Sequence, residues 1–199
     1  MLSHRYFAIF LVLSFQFLWI EADQTPQAVV TIPQSKWSKD GTPPIPERME
    51  KHSEGKITSI VIHHTQSPNE SPAMEFARLR GVQRYHIQDK EWGDIAYHFL
   101  IGASGRIYQG RDWNFQGDSG TQYDLNGRLL ICVLGDFTRR MPEDPAMAAL
   151  IRIVKAKLKE HDLKPEDVLT HRMVAATDCP GDTLQKWFDE KGREAISEK

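Results

Sequence analysis

The sequence predicts an α/β fold, a mixed central β-sheet flanked by helices, and three observations carry that reading. Two short apolar runs, Ser59 to Thr65 and Leu129 to Leu134, have the length and composition of buried strands. A hairpin pattern lies between them: Ile95 to Gly102 is strand-like, Ala103-Ser104-Gly105 turns the chain, and Arg106 to Gln109 returns. Further on, Met147, Leu150, Ile151, Val154 and Leu158 fall on one helical face. Hairpin strands interleaved with helices call for a layered domain with a mixed sheet.

The elements follow in order. Residues 1–22 read as a secretory signal peptide: Arg5 gives a positive start, Phe7 to Ile20 is apolar except for Ser14 and Gln16, and Ala22 suits cleavage. That run is short for a membrane span, which takes roughly 20 apolar residues, so no stable membrane insertion is expected. The chain is then expected to be secreted or periplasmic. Residues 23–55 hold Pro26, Pro33, Pro43, Pro44 and Pro46 and read as an extended segment wrapping the domain, pinned at Trp37 and Ile45. The domain proper is expected over 56–190, with a tail over 191–199. Within it, Ala73 to Gln88 is helix-like, Asp144 and Pro145 look like an N-cap and first turn, and that helix ends near His161. Val168 to Thr170 is a short strand, and Leu184, Trp187 and Phe188 mark a last helix.

Composition narrows the function. The chain has 199 residues, 40% of them hydrophobic, which suits one domain with a real core. Its 25 basic and 27 acidic residues leave a net charge of -2, without the basic excess of a nucleic-acid binder. A monomer is expected. Cys132 sits in an apolar strand and Cys179 in a polar loop beside Pro180 and Gly181, so the two are not expected to pair.

Eight histidines invite a search for metal ligands. His63 and His64 end the first strand on opposite faces, so one of them at most points at a given site. His171 follows the strand at 168–170, and Cys179 comes eight positions later. Two histidines and a cysteine can make a three-ligand zinc site whose fourth position stays open for water. Spacing of this kind by itself more often marks structural residues.

The motifs taken together are specific. His63-His64-Thr65, Asp94-Ile95-Ala96-Tyr97-His98-Phe99, Gly110-Arg111-Asp112-Trp113, Gly135-Asp136-Phe137, His171-Arg172 and Thr177-Asp178-Cys179-Pro180-Gly181 occur in that order, preceded by Ile32-Pro33 and Trp37. Over roughly residues 29–190 the series resembles the peptidoglycan recognition proteins and the type 2 N-acetylmuramoyl-L-alanine amidases, which include phage lysozymes of the amidase kind. The resemblance implies a single zinc-amidase domain acting on peptidoglycan or muropeptides. It implies that His63, His171 and Cys179 hold Zn2+, that Tyr97 is catalytic, and that Thr177 helps to hold the substrate carbonyl. It leaves His64 buried and hydrogen-bonded, and it identifies no general base.

Departures from the pattern bear on the groove. No cysteine occurs between Ser67 and Phe76, where animal members carry one, which points to a bacterial enzyme. The usual Gly-Ala-His reads Gly117-Asp118-Ser119, and the usual Ser-Ile-Gly-Ile reads Arg128-Leu129-Leu130-Ile131. Trp92 before the Asp-Ile-x-Tyr motif, with Arg111 after it, resembles members that prefer diaminopimelate-type stem peptides, although Glu91 stands in place of glycine. Arginine's planar fork suits a free carboxylate. The competing readings are a peptidoglycan receptor with little turnover and a purely structural zinc protein. Tyr97 argues against the last, because a structural site normally has four protein ligands.

Overall fold

Five strands form one sheet: β1 (Ser59–His64), β2 (Phe99–Ile101), β3 (Ile107–Gln109), β4 (Arg128–Val133) and β5 (Val168–Thr170), in the order β3-β2-β4-β1-β5. β1 pairs in parallel with β4 and with β5, β2 is parallel to β4, and only the β2–β3 hairpin is antiparallel. The computed structural model describes residues 29–39, 41–68 and 71–197. The signal-peptide reading of 1–22 therefore lies outside the described residues. Among those described, no helix is long and apolar enough to cross a membrane.

Strand alternation divides the core in two. Ile60, Ile62, Leu129, Ile131 and Val133 face one side and pack with Ala149, Leu150, Ile153 and Val154 of a long helix, α3 (Asp144–Glu160). Leu100, Tyr108, Cys132 and Leu134 face the other side and meet Trp37 of α1 (Gln34–Trp37) and Leu79 of α2 (Glu75–Arg84). Three short helices complete the fold: α4 (His171–Val174), α5 (Asp182–Trp187) and α6 (Arg193–Ser197).

The described residues before β1 lie along the sheet edge. Ile32 exchanges backbone hydrogen bonds with Ile107 and Gln109, both 2.8 Å, and the Trp37 indole donates to the Gln109 carbonyl at 2.8 Å. Ile45 donates its N–H to the Gly93 carbonyl at 2.6 Å.

Four details differ from the sequence reading, each for a local reason. The strand expected over 95–102 shrinks to Phe99–Ile101. The ladder partner it needs is taken, because the Leu130 N–H donates to the His98 ring at 2.8 Å, and the carbonyls of Asp94 and Ile95 accept from the Arg111 guanidinium. The helix expected over 73–88 is a 3-10 turn, then α2, then a π-turn over Tyr85–Asp89. Asp144 is the first residue of α3 rather than its cap; Glu143 holds the cap position without a side-chain bond, and Pro145 occupies the first turn, where its missing N–H costs nothing. The tail expected over 191–199 is helical where it is described: α6 runs to Ser197 and buries Ile196 in the core.

Candidate metal centre

β1 and β5 are neighbours, so their carboxyl ends deliver histidines side by side, the usual place for a ligand in a parallel sheet. His63 is the fifth residue of β1, on the face that carries its register partner Cys132. His171 is the first residue of α4, directly after β5. The two rings lie 4.5 Å apart between centroids. Cys179 comes in over the ends of both strands, and one ligand atom each from His63, His171 and Cys179 lie within 4.8 Å of one another.

Two contacts hold the cysteine loop there. Gly181 has φ +93°, and a Cβ on it would stand 2.4 Å from the Phe137 backbone, so only glycine lets the loop approach β4's exit this closely. Arg172, next to His171, donates to the Asp178 carbonyl at 2.6 Å and to the Asp182 carboxylate at 2.8 Å, tying the histidine's helix to the cysteine's loop.

The cluster fits a zinc ion. Cys179 Sγ lies 3.6 Å from His63 Nδ1. A tetrahedral angle between a ~2.1 Å Zn–N bond and a ~2.3 Å Zn–S bond gives about the same separation. The protonation states also suit a cation. Burial, followed by the nearby histidines, holds His63 well below its usual value, and burial brings His171 down to about 4, so both imidazoles are neutral at pH 7. Burial pushes the Cys179 thiol up to about 12, against an opposing pull from the His64 N–H, which donates to the sulfur at 3.4 Å. A metal must displace that proton, so binding releases it.

The other expected site residues divide into two groups. Tyr97 is half-buried with its ring 5.3 Å from that of His63, and Thr177 Oγ1 accepts the Cys179 N–H at 3.2 Å, leaving its own proton free to donate. Both therefore stand at the cluster. Trp92 reaches it only indirectly, its ring tilted against that of His86 at 4.7 Å between centroids, and the His86 ring lies 5.8 Å from Tyr97. Arg111 is buried, with Nε on the Ile95 carbonyl, Nη1 on the Gln116 carbonyl and Nη2 on the Asp94 carbonyl and the Asp118 carboxylate. It stabilises the 94–118 loops from within instead of presenting a free fork. His64 turns to the opposite face, 6.2 Å from the Phe137 ring, and its Nδ1 accepts the Phe137 N–H at 3.3 Å. Cys132 and Cys179 are both free thiols.

Three hydroxyls escaped sequence reasoning. Thr121 Oγ1 and Ser119 Oγ lie 2.6 and 3.3 Å from His171 Nε2, and the Tyr123 hydroxyl lies 3.4 Å from His63 Nε2. Their one signal was the departure from the usual pattern at 117–119.

Residues 53–182 match the profile of the N-acetylmuramoyl-L-alanine amidase family. Peptidoglycan recognition protein 1 of Rattus norvegicus is 32% identical over 162 residues, 78% of this chain and 86% of that protein. The N-acetylmuramoyl-L-alanine amidase of Homo sapiens is 32% identical over 131 residues, 63% of this chain but only 22% of that protein's own length. The crystal structure of Drosophila peptidoglycan recognition protein SD superposes with a TM-score of 0.73 at 26% identity, covering 81% of this chain and 94% of the other. These three relatives are animal proteins. Fold, metal-ligand cluster and sequence agree: the chain belongs to the N-acetylmuramoyl-L-alanine amidase family, alongside the peptidoglycan recognition proteins.

Proposed function

We propose that this protein is a secreted, zinc-dependent amidase that cleaves the bond between N-acetylmuramic acid and L-alanine in peptidoglycan. The observation that carries the reading is the His63, His171 and Cys179 cluster with the Tyr97 ring against one of its members. When bound, zinc supplies Lewis acidity that polarises an amide carbonyl and acidifies water. His63, His171 and the Cys179 thiolate would hold it, and two neutral histidines with one thiolate would leave the site a net positive charge. Burial raises the Tyr97 pKa well above its usual value, so the phenol keeps its proton at neutral pH and can donate it to an oxygen gaining charge. Thr177 keeps a hydroxyl proton for the same carbonyl, and its oxygen fixes the Cys179 amide.

Preference for diaminopimelate-type stem peptides is the finer part of the proposal, and it depends on one exchange. A substrate carboxylate reaches Arg111 only by displacing Asp118, which is the more exposed partner at 27% against 1%. The changed rim at Asp118 and Ser119 favours a second reading, a receptor that binds the wall without turnover; the complete ligand set favours the enzyme.

The test is incubation of purified protein with peptidoglycan and with matched muropeptides of both stem types. Release of new L-alanine amino termini supports the amidase, and binding without release supports the receptor. Asp118→Asn should widen the preference for diaminopimelate stems by about tenfold, the worth of roughly 1.4 kcal/mol in a charge-assisted hydrogen bond. Equal rates on both stems by wild type and variant would remove the selectivity claim and leave the amidase standing.

A further inference from the structure

The loop between Gly117 and β4 lies against both histidines of the cluster. We propose that Ser119, Thr121 and Tyr123 form a hydroxyl shell that holds the outer nitrogens of both histidine ligands and so selects Nδ1 of each as the metal donor. The inference rests on the zinc reading above and concerns residues that reading does not use.

The geometry is reciprocal. His63 points Nδ1 at Cys179 Sγ, 3.6 Å away, and Nε2 at the Tyr123 hydroxyl, 3.4 Å away. His171 has Nε2 held by Thr121 Oγ1 at 2.6 Å, with Ser119 Oγ at 3.3 Å, which leaves Nδ1 for the cluster. A neutral imidazole carries one ring proton, and a nitrogen that ligates a cation cannot keep it. The proton then sits on Nε2, and the hydroxyl oxygens accept it. Metal-bound histidines almost always donate their second N–H to such a partner, which fixes tautomer and ring angle.

The shell is itself anchored. Thr121 donates its backbone N–H to Ser119 Oγ at 3.1 Å, and the two hydroxyls lie 2.9 Å apart. The Tyr123 ring lies 5.2 Å from that of His171, and the Arg128 guanidinium lies over the Tyr123 ring, 5.8 Å from its centroid. Arg128 is held in turn by the Asp124 carbonyl at 2.5 Å and Ser59 Oγ at 3.2 Å. Hydroxyls differ from a carboxylate partner in one respect: they orient the ring without adding negative charge, so they would leave the positive charge of a bound cation undiminished.

The experiment measures Zn2+ affinity by chelator competition and imidazole tautomers by long-range 1H–15N NMR, for wild type, Thr121→Val, Thr121→Ser and Tyr123→Phe. Thr121→Val keeps the side chain's shape and removes the hydroxyl; it should weaken zinc binding about 10- to 100-fold and lose the Nε2–H signature of His171. Thr121→Ser should restore both. Tyr123→Phe should have a smaller effect, confined to His63. Melting of the metal-free proteins controls for folding, and Ser119→Ala serves if Thr121→Val does not fold. Wild-type affinity and tautomers in Thr121→Val would overturn the shell, as would an equal loss in Thr121→Ser, which would assign the effect to packing. None of these readouts depends on turnover. An inactive wild type that binds zinc would sink the amidase reading while the shell is still decided.

Discussion

Tyr97 lies against His63 and packs with the cluster that holds the free thiol of Cys132, and the proposed reading has it donate to an oxygen gaining charge. Its ring packs against the second core cluster, and phenylalanine keeps that packing. Tyr97→Phe should therefore keep wild-type zinc content and melting temperature while kcat falls on the order of 100-fold or more, the usual worth of an oxyanion donor. Unchanged kcat on a defined muropeptide would make Tyr97 a packing residue only. At this scale the ligands were readable because His63, His171 and Cys179 each sit in a distinctive motif. The hydroxyl shell was not, because serine, threonine and tyrosine are common and Tyr123 lies 60 positions from the histidine it meets. Arg111 shows a different limit: a charge in a hairpin motif does not announce that it is buried against backbone carbonyls and Asp118. The carboxylate seven residues on, Asp118, was the available hint.

At the scale of elements, the site depends on two chain reversals after β5. The first turns His171 inward as α4 begins, and the second returns Cys179 past Phe137. Gly181 makes the second possible, so Gly181→Ala tests it. The substitution puts a Cβ against the Phe137 backbone at a φ that L residues avoid, and should cost more than about 1 kcal/mol while displacing Cys179. Chemical denaturation should show the loss, and chelator competition should show zinc binding weakened more than stability alone explains. A variant with unchanged zinc affinity would mean that the loop is positioned by Arg172 alone. Strands β1 and β4 were legible because short apolar runs announce burial on both faces. β2 was overdrawn because His98 and Arg111, both distant from its strand pattern in role, capture the backbone groups a longer ladder would need. No local pattern encodes that competition.

The whole molecule buries several neutral histidines, and this sets its response to acid. Burial brings His64 and His171 down to about 4, and His86 and His98 down to about 3, from a usual value of 6.5. His98 shows why: Nδ1 accepts the Leu130 N–H while Nε2 faces the Phe115 carbonyl at 3.0 Å, an arrangement that only the neutral ring satisfies. The unfolded chain takes up these protons first, so the stabilising contribution is complete above about pH 6.5 and is lost as pH falls toward 4 and then 3. Urea unfolding of the metal-free protein should show stability dropping across that window, with net proton uptake on unfolding. A flat profile between pH 6.5 and 4 would contradict the buried neutral rings. The layered α/β architecture was visible in the alternation of runs and helical faces, whereas the order of strands was not, because parallel neighbours such as β1 and β5 are joined by more than a hundred residues of intervening chain. The most direct test of the central claim is zinc content and amidase activity measured on the same preparations of wild type and Cys179→Ser. The account predicts one zinc per wild-type chain with release of L-alanine amino termini, and loss of both metal and release in the variant, because a neutral hydroxyl replaces thiolate poorly. Full zinc content and full release in Cys179→Ser would contradict it.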